Sequence, residues 1–84
     1  MILKFSDNAW EDYLYWQKQD KKILKRINEL IKEIGRDPFK GKGDPEPLKY
    51  NWSGFWSRRI NREHRLVYAV ENDEILIAGC RYHY

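Results

Sequence analysis

Arg65-Leu66-Val67-Tyr68-Ala69-Val70-Glu71-Asn72-Asp73-Glu74-Ile75-Leu76-Ile77-Ala78-Gly79 reads as two strand-forming runs folded back on a short turn. Aliphatic and aromatic side chains fill both runs, as a half-buried pleated surface requires. Asn72-Asp73 interrupts them with the two non-glycine residues that best tolerate a tight hairpin turn. The expected strands are 65–70 and 75–83, and a similar run at 55–60 precedes them. A sheet with an apolar side needs another layer to cover it. Upstream the period changes to suit that need. Ile23, Leu24, Ile27, Leu30, Ile31 and Ile34 recur at steps of three and four, with Lys21, Lys22, Lys25, Arg26, Glu29, Lys32 and Glu33 opposite. Asp20 fits its N-cap, and Gly35 with Pro38 fits its end. An earlier helix is expected after Ser6, Asp7 or Asn8, with Trp10, Tyr13, Leu14 and Gln17 on one face. Ile2 to Phe5 reads as an opening strand. The order is β-α-α-β-β-β. This is an α+β fold, a two-helix hairpin packed on a mostly antiparallel twisted sheet, in one domain spanning 1–84.

The chain has 84 residues, one cysteine and two histidines, with a net charge of +3. One cysteine excludes an internal disulfide, and Cys80 lies in an apolar run where a small buried residue is expected. One Cys and two His do not assemble a usual zinc set, so neither metal nor cofactor is expected. No segment approaches the ~20 apolar residues of a membrane span, and the start is too short for a signal peptide. A cytoplasmic protein without a membrane partner is the expectation. Positive charge concentrates in residues 36–67, with eight basic against four acidic side chains. That segment suits a phosphate backbone or an acidic partner. No helix-turn-helix pattern marks a DNA reader.

Chemistry-bearing residues occur in three places. Arg58, Arg59, Arg62 and Arg65 put four arginines within eight residues, beside Trp56. Such a group binds phosphate and stacks bases, although charge on a sheet edge also serves simply to block pairing. Glu46 stands between Pro45 and Pro47, which stiffen its backbone. An acid held in a basic loop suits a positioned base, although most such acids are solvated surface. The chain closes on Arg81-Tyr82-His83-Tyr84, which carries the side chain that titrates nearest neutral pH. Unbroken alternation places Arg81 and His83 on the face of Ile75, Ile77 and Gly79, away from Leu76, Ala78, Cys80, Tyr82 and Tyr84. A base, an acid and cations are what RNA cleavage through its own 2′-hydroxyl needs. A fold that grips RNA or an acidic partner without cutting it uses the same residue types.

Pro45-Glu46-Pro47-Leu48-Lys49, Gly54-Phe55-Trp56-Ser57-Arg58-Arg59-Ile60, His64-Arg65-Leu66-Val67-Tyr68 and Cys80-Arg81-Tyr82-His83-Tyr84 together resemble the signature of YoeB toxins, of the RelE superfamily. Asp12-Tyr13-Leu14-Tyr15-Trp16 and Ile27-Asn28-Glu29-Leu30-Ile31-Lys32 are also similar. Trp52 departs from the pattern, where a smaller apolar residue is usual. The resemblance implies a RelE-like microbial ribonuclease-type fold. It implies a metal-independent endoribonuclease that enters the A site of the 70S ribosome, cuts mRNA there and stops translation. It implies Glu46 as general base, His83 as general acid, and Arg65 as the transition-state cation. Tyr84 would orient the cut nucleotide or His83, with Lys49 and Arg59 as phosphate contacts; Trp56 and Arg58 are expected as further RNA contacts from their residue types alone. A YefM-type antitoxin is the implied partner, two per toxin, with operator DNA bound only through it.

Overall fold

The two runs around Asn72-Asp73 form the centre of the sheet in the computed structural model, which describes residues 1–82. The strands are β1 (Ile2–Phe5), β2 (Glu46–Pro47), β3 (Trp56–Arg59), β4 (Arg65–Glu71) and β5 (Glu74–Gly79); the helices are α1 (Asp7–Gln19) and α2 (Lys21–Arg36). The sheet order is β1-β5-β4-β3-β2. β1 lies parallel to β5, and every other pair is antiparallel. Asn72 and Asp73 have φ of 52° and 61°, the left-handed pair that a two-residue hairpin turn requires. The α+β order holds, with one addition. Glu46–Pro47, expected to be loop, pairs with Ser57 and Trp56 as a two-residue edge strand. Pro47 lacks an N–H, which confines it to such an edge.

Asp20 both ends α1 and starts α2. Its N–H donates to the Trp16 carbonyl at 2.9 Å, while its Oδ1 accepts from the N–H groups of Lys22 and Ile23 at 3.0 and 3.2 Å. Ser6 caps α1 by accepting from Ala9 N–H at 3.1 Å. α2 buries Ile27, Leu30 and Ile34 against Leu66, Tyr68, Ile75 and Ile77. It passes Gly35 and ends on Asp37, whose extended φ of −149° needs no glycine. The expected face of α1 is corrected too. Ala9 and Trp16 are buried, whereas Trp10 and Leu14 are exposed. Trp10 stacks on Tyr13 at 5.8 Å and meets Phe5 edge-on, beside the core rather than in it.

β5 is shorter than its apolar run. Val67 lies opposite Gly79 but Tyr68 lies opposite Ile77, so Ala78 is an extra residue, a β-bulge. The bulge resets the alternation. Ile75, Ile77 and Cys80 all enter the core, and the strand stops at Gly79 rather than running on to 83. The expectation that Arg81 continues the face of Ile75 and Ile77 fails for this reason. Both helices cover one face of the sheet. The other face is open, and no described helix is long and apolar enough to cross a membrane.

Candidate active site

Alternation along β3 sorts its residues by face. Trp56 packs against the core and Arg58 is fully buried, so Ser57 and Arg59 take the open face. Cross-strand pairing then assembles a group. Glu46 lies opposite Ser57, and Arg59 lies opposite Arg65. Ser57 and Arg59 are two residues apart, about 7 Å along the strand. One exposed carboxylate and two arginines thus share the open side of three neighbouring strands. Lys49 is also exposed, at the start of a 3-10 turn over Tyr50–Trp52.

Arg65 is held before any ligand arrives. Its Nη1 donates to the carbonyls of Asn61 and His64 at 2.7 and 3.1 Å. The turn itself is set by Asn61, whose Oδ1 accepts from the N–H groups of Glu63 and His64 at 2.9 and 2.8 Å. Arg65 also uses its backbone, donating N–H to the Tyr82 carbonyl at 2.8 Å. That bond brings the segment after β5 to the arginine end of the open face. His83 and Tyr84 lie outside the described residues; His83 is one peptide bond beyond Tyr82.

Two expected RNA contacts fall elsewhere. Arg58 points into the core, where Nε donates to Tyr68 Oη at 3.0 Å and Nη1 to the Lys42 carbonyl at 2.9 Å. Its Nη2 donates to the carbonyls of Asp37 and Lys40 at 2.6 and 3.0 Å. A side chain with no exposed surface and this set of acceptors ties down the loop that leads to Glu46, and is not placed to meet a phosphate. Trp56 packs on the same covered face, its ring 4.8 Å from that of Phe39. A groove of about 460 Å³ is lined by Lys4, Phe55, Glu71 and Glu74 among others, at the far end of the open face from Arg59 and Arg65, and no candidate residue lines it.

Three residues that sequence reasoning left out hold the C-terminal segment. Asp12 Oδ2 accepts from Cys80 N–H at 3.0 Å, and Trp16 Nε1–H donates to the Cys80 carbonyl at 2.8 Å. His64 Nδ1 accepts from Tyr82 N–H at 2.7 Å. The Arg81 guanidinium lies 3.6 Å from the Tyr15 ring centre. These contacts join residues 18 to 68 positions apart, so no local spacing announces them. Burial pushes the Cys80 thiol up to about 12, with the Asp12 charge adding to it. The thiol stays protonated and is no nucleophile at neutral pH. Burial also raises the Asp12 carboxyl, against the lowering effects of Cys80 N–H and Arg81. A raised carboxyl binds protons more tightly folded than unfolded, so its ionisation costs stability as pH rises from the ordinary value through the raised one. Asp12→Asn keeps an acceptor and removes that titration. Melting temperatures from pH 3.5 to 7 are expected to show the variant gaining on wild type as pH rises. A constant difference would show that Asp12 ionises without cost.

The same chain matches the model for the YoeB-like toxin of bacterial type II toxin–antitoxin systems over residues 5–84. Toxin YoeB of Escherichia coli strain K12 is 68% identical over 84 residues, covering both chains completely. A YoeB/ParE toxin structure from Agrobacterium tumefaciens superimposes with a TM-score of 0.98 at 44% identity, covering all of both chains. A toxin chain in a YoeB-YefM complex from Staphylococcus aureus reaches 0.92 at 53% identity, with 100% of this chain and 98% of that one covered. With this fold and this likeness along its whole length, the chain belongs to the YoeB-like toxins of bacterial type II toxin–antitoxin systems.

Proposed function

We propose that this toxin is a ribosome-dependent endoribonuclease that cuts mRNA in the A site. The carrying observation is that β2, β3 and β4 present Glu46, Arg59 and Arg65 on one open face, to which Arg65 N–H also ties Tyr82. Glu46 takes the proton of a 2′-hydroxyl, and that oxygen attacks the adjacent phosphorus. Arg65, Arg59 and Lys49 balance the charge of the five-coordinate phosphorane. The bond to the 5′-oxygen breaks, and His83 gives that oxygen a proton. The products are a 2′,3′-cyclic phosphate and a 5′-hydroxyl. Tyr84 orients the nucleotide or His83. Every proton and charge is assigned to a side chain, and no step runs through a metal. A YefM-type antitoxin is the proposed inhibitor, supported by the YoeB-YefM complexes of Staphylococcus aureus relatives, one of them heterotetrameric; two antitoxins per toxin is part of the proposal.

Purified toxin, ribosomes and a defined mRNA test this reading. Primer extension is expected to show a new 5′ end within the A-site codon, and only when ribosomes are present. Ribosome binding without that end leaves an RNA- or partner-binding module instead. Arg65→Ala separates binding from chemistry. Losing one preorganised cation is expected to slow single-turnover cleavage by about 10²–10³-fold. Ribosome affinity is expected to fall far less, and an equal fall would make Arg65 a binding residue only.

A further inference from the structure

Tyr82 is gripped on both sides of its peptide. Its N–H donates to His64 Nδ1 at 2.7 Å, and its carbonyl accepts from Arg65 N–H at 2.8 Å. Its φ is +64°, a left-handed conformation that is strained for a non-glycine residue. Such a conformation persists where the surroundings over-determine it. The His64 ring is only 6% exposed and meets Trp16 edge-on at 4.7 Å. Its Nε2 lies 3.6 Å from Glu63 Oε1. Packing by Trp16 thus sets the ring plane, and the Nδ1 lone pair aims at Tyr82 N–H. Filling the space needs only a ring; a nitrogen at that corner serves the backbone of the segment.

We propose that His64 is a positioning residue for His83, acting through the Tyr82 peptide that its Nδ1 holds. This rests on the reading of His83 as general acid. His83 follows Tyr82 directly in the chain, so the backbone of Tyr82 is its anchor. A swing of the Tyr82 peptide moves the point from which His83 departs, and a misplacement of about 1 Å at a reacting group costs on the order of 10²-fold in rate. The turn that holds Tyr82 also fixes the Arg65 guanidinium, which donates to the carbonyls of Asn61 and His64. One turn thereby holds both the charge-balancing cation and the residue that precedes the proposed acid.

The test compares His64→Asn, whose amide oxygen reaches the place of Nδ1, with His64→Gln, whose amide falls near Nε2. Single-turnover cleavage on programmed ribosomes is read beside ribosome affinity and circular dichroism. His64→Gln is expected to cut about 10²-fold more slowly at unchanged affinity, and His64→Asn to recover most of that loss. In a His83→Gln background, His64→Gln is expected to add no further loss, because both act through one group. Equal rates for the Asn and Gln variants, wild-type rates for both, or a full additional loss on His83→Gln would overturn the proposal. Should His64→Gln fail to fold, His64→Phe takes its place, since it keeps the ring against Trp16. A His83→Gln protein cutting at wild-type rate would instead overturn the role of His83 itself.

Discussion

Arg58→Met is expected to cost about 3–5 kcal/mol of folding stability, close to the tolerance of so small a domain. The side chain it removes donates to the carbonyls of Asp37, Lys40 and Lys42 and to Tyr68 Oη. Methionine fills similar volume but donates nothing, so acceptors that faced a cation lose it. Tyr68 keeps its own bond to the Pro38 carbonyl at 2.7 Å, and so part of the loop remains tethered. The melting temperature is expected to fall by more than about 12 °C, at roughly 4 °C or more per kcal/mol for this size. Arg58→Lys is expected to restore only part, because one ammonium cannot reach acceptors spread around a planar fork. A Met variant melting within about 3 °C of wild type would show that water replaces the guanidinium.

Glu46→Gln is expected to do the reverse, leaving stability alone and removing activity. Glu46 is exposed and contributes backbone pairing to the edge of β3, which the amide preserves. Its change in stability should stay within about 0.5 kcal/mol. Without a carboxylate to take the 2′-hydroxyl proton, single-turnover cleavage should fall by roughly 10²–10⁴-fold. Ribosome affinity should hold or rise slightly, because a negative charge leaves a basic face. A rate within twofold of wild type would remove Glu46 from the mechanism.

These two residues also show what the sequence made legible. Glu46 is singled out by its flanking prolines, which act locally. Arg58 and Arg59 are the same residue type side by side, and pooling them as one basic cluster concealed that a strand sends neighbours to opposite faces. Counting from Trp56 would have sent Arg58 inward. The helices were legible because the period of Ile23 to Ile34 and the cap at Asp20 are local signals. The end of β5 was not, because one bulged residue, Ala78, shifts the phase of all that follows and leaves no mark in the composition. Nor were Asp12, Trp16 and His64, whose partners are set by the tertiary fold.

The long reach of the contacts around Cys80 has a kinetic side. Ser6 Oγ reaches the Ala78 carbonyl, and Asp12 and Trp16 hold Cys80 across 68 and 64 residues. Helix α1 lies far upstream of the segment it must hold. Contacts of such long sequence separation form late and slowly. The helices and the β3–β4 hairpin have partners close in sequence and can form before that closure. Docking of α1 onto the end of β5 is therefore expected among the last steps of folding, and it closes the chain on itself.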